Sequence, residues 1–167
     1  LNFRRPDISR SLLLYRYRRL PAARLAAEKQ GLAGALYPWQ SGSNGREESQ
    51  QLHLNPRSGH WTPDNSYLQR HVNGAVAINV WRYHQTTGDD AFMQAFGAEM
   101  LIEIARLWVS LASQNGDTGR YDIRRVVGPD EFHEAYPWEE EPGLDNNAYT
   151  NVMVSWLMTR TLDMLDL

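Results

Sequence analysis

Met100, Leu101, Ile104, Leu107, Trp108 and Leu111 recur at offsets of three and four residues, which places large apolar groups on one side of a 3.6-residue helix. Glu99, Glu103 and Arg106 fall on the other side. A chain built round such a stripe must bury it against further helices, and no other stretch limits the fold as tightly. Residues 6–31 read as helix, with Asp7 in the first turn, Leu12, Leu13, Tyr15 and Leu20 as apolar positions and Gly31 as a stop. Pro21 kinks or splits it, because proline has no N–H to give the helix. Residues 66–85 carry Val72, Ala75, Val76, Val80 and Tyr83 on one face with Ile78 and Trp81 elsewhere, which predicts burial on most sides. Tyr149, Val152, Met153, Trp156 and Leu157 mark a last helix running to about residue 165. Only residues 51–54 and 121–127 read as strand. The fold class is therefore mainly α with short β pieces in the loops, and Met100, Ile104, Trp108 and Trp156 are expected in its core.

Composition removes several classes of function. With 167 residues, 42% of them hydrophobic, and a formal charge of −3, the chain has the profile of one ordinary globular domain. No run approaches the ~18 apolar residues of a spanning helix, so no membrane association is expected. The absence of cysteine excludes a disulfide framework, a thiolate zinc site and a cysteine nucleophile. It leaves the compartment open, with the cytoplasm as the expectation.

Two stretches have the makings of a site. Residues 130–145 hold seven acids and no Lys or Arg, interspersed with Phe132, Tyr136 and Trp138. Like charge and desolvation both favour the protonated form of a carboxyl, which is what a general acid requires. A charge run is more often a solvated loop. Glu131 is singled out by its place after a Gly-Pro turn at the end of a predicted strand, a rigid mount for a catalytic side chain. The second stretch carries Tyr37, Pro38, Trp39 and Gln40, then Gly42, Gly45, Arg46, Glu47 and Glu48, in a long loop of the kind that is often functional. Aromatic faces beside amides and carboxylates suit sugar rings, although a loop Trp is more often an anchor. His53, His60, His71, His84 and His133 do not fall at a zinc-helix spacing, so no metal is expected. Seven Arg lie between Arg4 and Arg24. Their scatter round the helix fits salt bridges better than a nucleic-acid surface.

In these and neighbouring residues the chain resembles the central catalytic domain of glycoside hydrolase family 65, the family of maltose, trehalose, kojibiose and nigerose phosphorylases with a few hydrolases. The matching pieces are Tyr-Arg-Tyr-Arg-Arg-Leu-Pro-Ala-Ala-Arg (15–24), Gly-Ala-Leu-Tyr-Pro-Trp-Gln-Ser (34–41) and Gly-Arg-Glu-Glu (45–48). They continue with Tyr-His-Gln-Thr-Thr-Gly-Asp (83–89), Gly-Ala-Glu-Met-Leu-Ile-Glu-Ile-Ala-Arg (97–106), Gly-Pro-Asp-Glu-Phe-His-Glu (128–134) and Asp-Asn-Asn-Ala-Tyr-Thr-Asn (145–151). The resemblance implies an (α/α)6 barrel of which residues 1–167 form part, within one catalytic domain of a longer enzyme. It makes Glu131 the general acid and puts Trp39 and Gln40 at the acceptor-sugar subsite. Many members have Glu where this chain has Gln40, so the acceptor stays open. The donor-sugar Trp-Asp motif precedes the matched segment in the family, and a Lys-Gln pair and a Ser-rich phosphate loop follow it.

The implied reaction is inverting cleavage of an α-glucosidic disaccharide. One protonated carboxyl protonates the leaving oxygen while a nucleophile attacks from the opposite face. Phosphorolysis is expected, with inorganic phosphate as co-substrate, no cofactor, and a homodimer as the assembly. The alternatives are hydrolysis on the same fold with water as nucleophile, and a non-catalytic carbohydrate-binding or structural helical module.

Overall fold

The computed structural model of the chain describes residues 1–130 and 133–165. Helices α1 (Pro6–Arg18) and α2 (Leu20–Glu28) are the two halves of the expected first helix. The split falls at Arg19, just ahead of Pro21 in the first turn of α2, where the missing N–H costs nothing. A long connection then carries the antiparallel strands β1 (Leu52–Leu54) and β2 (Trp61–Pro63). Helix α3 (His71–Thr87) begins after a single 3-10 turn at Ser66–Leu68, five residues later than the sequence suggests. It ends at Gly88, and a short α4 (Asp90–Phe92) leads through a wide turn at Met93–Gly97 into α5 (Ala98–Leu111). Strands β3 (Ala112–Gln114) and β4 (Tyr121–Ile123) form a second antiparallel pair, and α6 (Ala148–Leu165) closes the described chain.

Helix α3 is central, packed against α1, α5 and α6, and α5 also packs on α6. Its burial on several sides follows from a sequence that is apolar on more than one face: Val76, Ala77, Val80, Trp81 and Tyr83 are all buried. Met100, Leu101, Ile104, Leu107 and Trp108 of α5 are fully buried, as their period predicts. Helix α6 approaches α3 at Gly74, where an added Cβ would lie 1.9 Å from the Met153 sulfur and would force that side chain to move. Trp156, expected in the core, is half-buried: it packs against the core with part of its ring on the α3–α6 groove.

The arginines of the first two helices are engaged in several ways. Arg24 bonds Glu99 at 2.7 Å and the buried Glu103 at 3.1 Å, tying α2 to α5, and Arg10 pairs with Asp89 at 3.4 Å. Arg16 lies over the rings of Tyr15 and Tyr37. Two strand expectations need correction. The strand expected over 121–127 stops at Ile123, because Arg125 takes a left-handed conformation (φ 57°) and Val126 pairs instead with Leu144. Strands β2 and β3 were not foreseen. Trp61–Pro63 is exposed throughout and contains a proline, so it has no alternation to read, and Ala112–Gln114 follows directly on the stripe of α5. No helix among the described residues is long and apolar enough to cross a membrane.

Candidate functional site

The site is assembled on the first turn of α3. Asn73, fully buried, accepts a hydrogen bond from the Tyr37 N–H at 2.7 Å through Oδ1. Its Nδ2 donates to the Tyr37 carbonyl at 3.4 Å and to the Arg70 carbonyl at 3.0 Å. An amide offers both donor and acceptor, so it can clasp a whole backbone unit where a carboxylate or a leucine cannot. Tyr37 is buried with its hydroxyl donating to the Arg16 carbonyl at 3.1 Å, and burial pushes its phenol well above the usual range.

Two residues beyond this clasp the chain emerges at Trp39 and Gln40. Glu47 collects their N–H groups: Oε2 accepts from Trp39 at 3.1 Å and Oε1 from Gln40 at 3.3 Å. Oε1 also accepts from the N–H of Ser49 at 3.1 Å and from its hydroxyl at 2.6 Å. One exposed carboxylate thus shapes the whole Trp39–Ser49 turn, and charge-assisted bonds of this kind are the stronger sort. The Trp39 ring is 37% exposed and meets His71 edge-on at 5.5 Å. His71 meets Tyr149 of α6 at 5.6 Å, making a row of three rings from three separate parts of the chain. Tyr149 is held there by the start of α6, where Asn147 Oδ1 accepts from the Thr150 N–H at 3.2 Å.

The turn leading into α3 also meets the second candidate stretch, where the Val127 N–H donates to the Leu68 carbonyl at 3.1 Å. Burial holds the His71 imidazole below the usual histidine range, and the Val127 backbone opposes that shift. Val126, Val127 and Gly128 are buried, and the Gly128 N–H donates to the His133 carbonyl at 2.9 Å. This is the stem of the Gly-Pro-Asp-Glu motif. Glu131 itself lies outside the described residues, as does the neighbouring Phe132 invoked with it; Asp130 before them and His133 after them are exposed.

Beyond the stem, the loop is tied by Arg125. Its N–H donates to Asp145 at 3.1 Å and its guanidinium to Glu141 at 2.6 Å. Gly143 (φ 112°) passes so close that an added Cβ would lie 2.5 Å from the Arg125 Cα. Tyr136 and Trp138 stack at 5.3 Å, with Trp138 open to solvent. At the base, Asp122 accepts from Arg124, Asn146 and Asn115, which pull its carboxyl down to about 2.

The structure therefore brings Trp39 to His71 at the start of α3, and the backbone stem leading to Glu131 to Leu68, three residues earlier. The Gln40 side chain is exposed next to Trp39. Two cavities flank this assembly. One of about 810 Å³ lies between α2 and the loop, with Pro38, Glu47 and Arg70 in its wall. The other, of about 680 Å³, runs along the α3–α6 groove from Tyr149 to Arg160. Neither Trp39 nor Gln40 lines either of these two cavities, whereas Tyr149 lines the second. Among the described residues no three His, Asp or Glu side chains converge as a metal site requires. Exposed aromatic faces beside amides and carboxylates can stack on a sugar ring and bond its hydroxyls. His71, Asn73 and Tyr149 were not foreseen as site residues. Their only sequence signals are a histidine, an asparagine and a glycine together at a helix start, and the Asp-Asn-Asn-Ala-Tyr-Thr-Asn run.

Comparison with known proteins gives the family. The model of the glycosyl hydrolase family 65 central catalytic domain matches residues 1–167. An uncharacterized glycosyl hydrolase of Mycobacterium tuberculosis is 60% identical over the whole chain, which spans 13% of that protein. A trehalose 6-phosphate phosphorylase of Lactococcus lactis is 48% identical over 90% of the chain and 19% of its own length. A kojibiose phosphorylase of Caldanaerobacter subterraneus is 39% identical over 96% of the chain and 20% of its own length. Among solved structures, a human-microbiome protein assigned as a kojibiose phosphorylase shares the fold with a TM-score of 0.75 at 24% identity, over 96% of this chain and 21% of that one. The chain thus spans between about an eighth and a fifth of the proteins it matches. Matched by the family model from first residue to last, the chain belongs to glycosyl hydrolase family 65.

Proposed function

We propose that the full-length protein catalyses inverting phosphorolysis of an α-glucosidic disaccharide of the trehalose, maltose or kojibiose class. The single observation that carries this reading is that the Trp39 ring and the Gly-Pro-Asp-Glu stem both dock at the start of α3, Trp39 on His71 and the Val127 N–H on Leu68, since the acceptor sugar is the leaving group whose oxygen the acid protonates. Residues 1–167 are then part of one (α/α)6-barrel catalytic domain of a longer enzyme. Glu131 gives its proton to the glycosidic oxygen as the bond to the anomeric carbon breaks. An oxygen of inorganic phosphate forms the new bond from the opposite face, leaving β-glucose 1-phosphate and the acceptor sugar. Phosphate is already a nucleophile at neutral pH, so one carboxyl suffices. Trp39 stacks on the acceptor and Gln40 bonds its hydroxyls. No cofactor takes part, and the assembly is a cytoplasmic homodimer without nucleic-acid or membrane partners. The phosphorolytic relatives at 39–48% identity favour phosphate over water as nucleophile.

The test offers the full-length protein trehalose, trehalose 6-phosphate, maltose and kojibiose with inorganic phosphate and follows the anomeric proton of the product by NMR. β-Glucose 1-phosphate is expected from one of them. Free glucose formed at the same rate without phosphate makes it a hydrolase, and no product from any substrate leaves the binding module. On the cleaved disaccharide, Glu131→Gln should lower kcat by about 10²-fold or more with far less change in KM. Glucosyl fluoride, whose leaving group needs little protonation, should lose much less. Equal loss on both substrates removes Glu131 from the role, and Asp130 or Glu134 becomes the candidate.

A further inference from the structure

We propose that the cavity between α2 and the long loop is a binding site for a phosphorylated sugar, with Arg70 as its anion-binding group. Leaving histidine aside, three charged side chains are buried among the described residues: Arg70, Glu103 and Asp122. Glu103 meets Arg24 at 3.1 Å and Arg106 at 3.0 Å, and Asp122 meets Arg124 at 2.9 Å. Arg70 alone of the three has no opposite charge in contact among the described residues. Its one side-chain bond runs from Nη2 to the neutral amide oxygen of Gln30 at 2.6 Å. A guanidinium keeps its proton in a protein, so it cannot relieve the cost of burial by becoming neutral, as a carboxyl or a lysine can. Burial works against its charge, and Glu47 in the wall of the same cavity offsets this from a distance.

The cavity gives that charge somewhere to act. A guanidinium carries five N–H donors, of which Gln30 takes one, and neither remaining nitrogen of Arg70 is sealed in the protein without a partner. Those donors open into the cavity of about 810 Å³ that Arg70 lines. Lys29, at the end of α2, lines it too, and its ammonium has no partner among the described residues. Both carboxylates in the wall are already taken, Glu47 by the N–H groups of the Trp39–Ser49 turn and Asp64 by Ser66 and Gln50. Two uncommitted cations suit a phosphate monoester, close to a dianion at neutral pH, better than a single carboxylate. The space exceeds what bare phosphate fills, and the Gln51 and Asn65 amides with the half-exposed ring of Tyr67 offer partners for sugar hydroxyls and a C–H face. The site goes beyond the reaction proposed above, since neither Trp39 nor Gln40 lines this cavity.

The experiment uses the full-length protein with glucose 6-phosphate as the probe and glucose and inorganic phosphate as controls. In hydrogen exchange by mass spectrometry, glucose 6-phosphate should slow the amides of residues 24–30, 44–51 and 64–70 severalfold, and glucose should not. Arg70→Gln should raise the dissociation constant measured by calorimetry about tenfold or more, because it removes the charged donor. Lys29→Gln should raise it about threefold, since that cation is exposed. If Arg70→Gln fails to fold by circular dichroism, Lys29→Gln and the exchange map still decide. Absence of slowing in these segments, slowing confined to the amides around Trp39, His71 and Tyr149, or affinity unchanged in the folded variants overturns the site. Equal slowing of the same amides by inorganic phosphate overturns the sugar as ligand. None of these readouts depends on turnover, so their failure is separate from failure of the proposed reaction.

Discussion

The two loops that dock at the start of α3 are built on different principles. The aromatic loop is held from within: the buried Asn73 clasps Tyr37, and the four bonds to Glu47 set the turn that follows. The acidic loop has an equally buried stem at Val126–Gly128, but its outer part depends on the exposed Arg125–Glu141 pair and a solvent-facing Tyr136–Trp138 stack. Exposed ion pairs contribute only about 0–1 kcal/mol, whereas an unpaired buried amide costs about 1–3 kcal/mol. The difference teaches where each half of the site gets its precision. The aromatic loop is set by this chain's own core, while the acidic loop is set at its base and its outer part from Arg125 to Glu141 rests on exposed contacts.

That contrast can be broken most forcefully at Asn73. Asn73→Leu leaves the Tyr37 N–H and carbonyl unpaired in the core, and should destabilise the segment 35–41 by about 3 kcal/mol. Hydrogen exchange by mass spectrometry on the full-length protein should show those amides exchanging on the order of a hundredfold faster. Unchanged protection would mean that the clasp is not what holds the aromatic loop.

Acid should act on the two loops in separate windows. Asp122 is held at about 2 by its three donors, so its contribution is complete above the ordinary carboxyl range near ~3.9 and is lost as pH falls through about 2. His71 is depressed by burial, so its contribution is complete above the ordinary value near ~6.5 and is lost as pH falls below that. Hydrogen exchange along an acid titration should therefore loosen the His71 joint first and the β4 base of the acidic loop last. The reverse order would contradict both assignments.

A smaller effect is expected at Glu47. Glu47→Gln keeps the shape of the turn but weakens bonds to four donors, and should raise acceptor KM severalfold with a stability change of about 1 kcal/mol or less, since the side chain is exposed. Loss of global stability instead of acceptor affinity would make Glu47 a structural residue. Smallest of all, Glu141→Gln should change thermal stability by less than about 0.5 kcal/mol, and that little should vanish in 0.5 M salt. A larger loss would show that the tip of the acidic loop is as preorganised as the aromatic one.

What the sequence determined by itself is whatever depends on near neighbours. The stripe of α5 marks its own buried face, because residues three and four apart share a side of a helix. Pro21 splits the first helix because a missing N–H acts within one turn, and the Gly-Pro turn before Glu131 is likewise local. The family resemblance added roles for Trp39, Gln40 and Glu131, each carried by a short run of residues. The tertiary structure alone decided how those runs meet. Tyr37 and Asn73 are thirty-six residues apart, and the Leu68 carbonyl meets the Val127 N–H, a backbone pair that shows no side-chain signature at all. Strand β2 needed a partner to exist, and Trp156 sits half-buried because of the groove beside it, not because of its position in a period. Periodicity states which face of an element is buried, but a hydrogen bond between distant backbone and side chain is chosen by packing, and packing is a property of the folded chain.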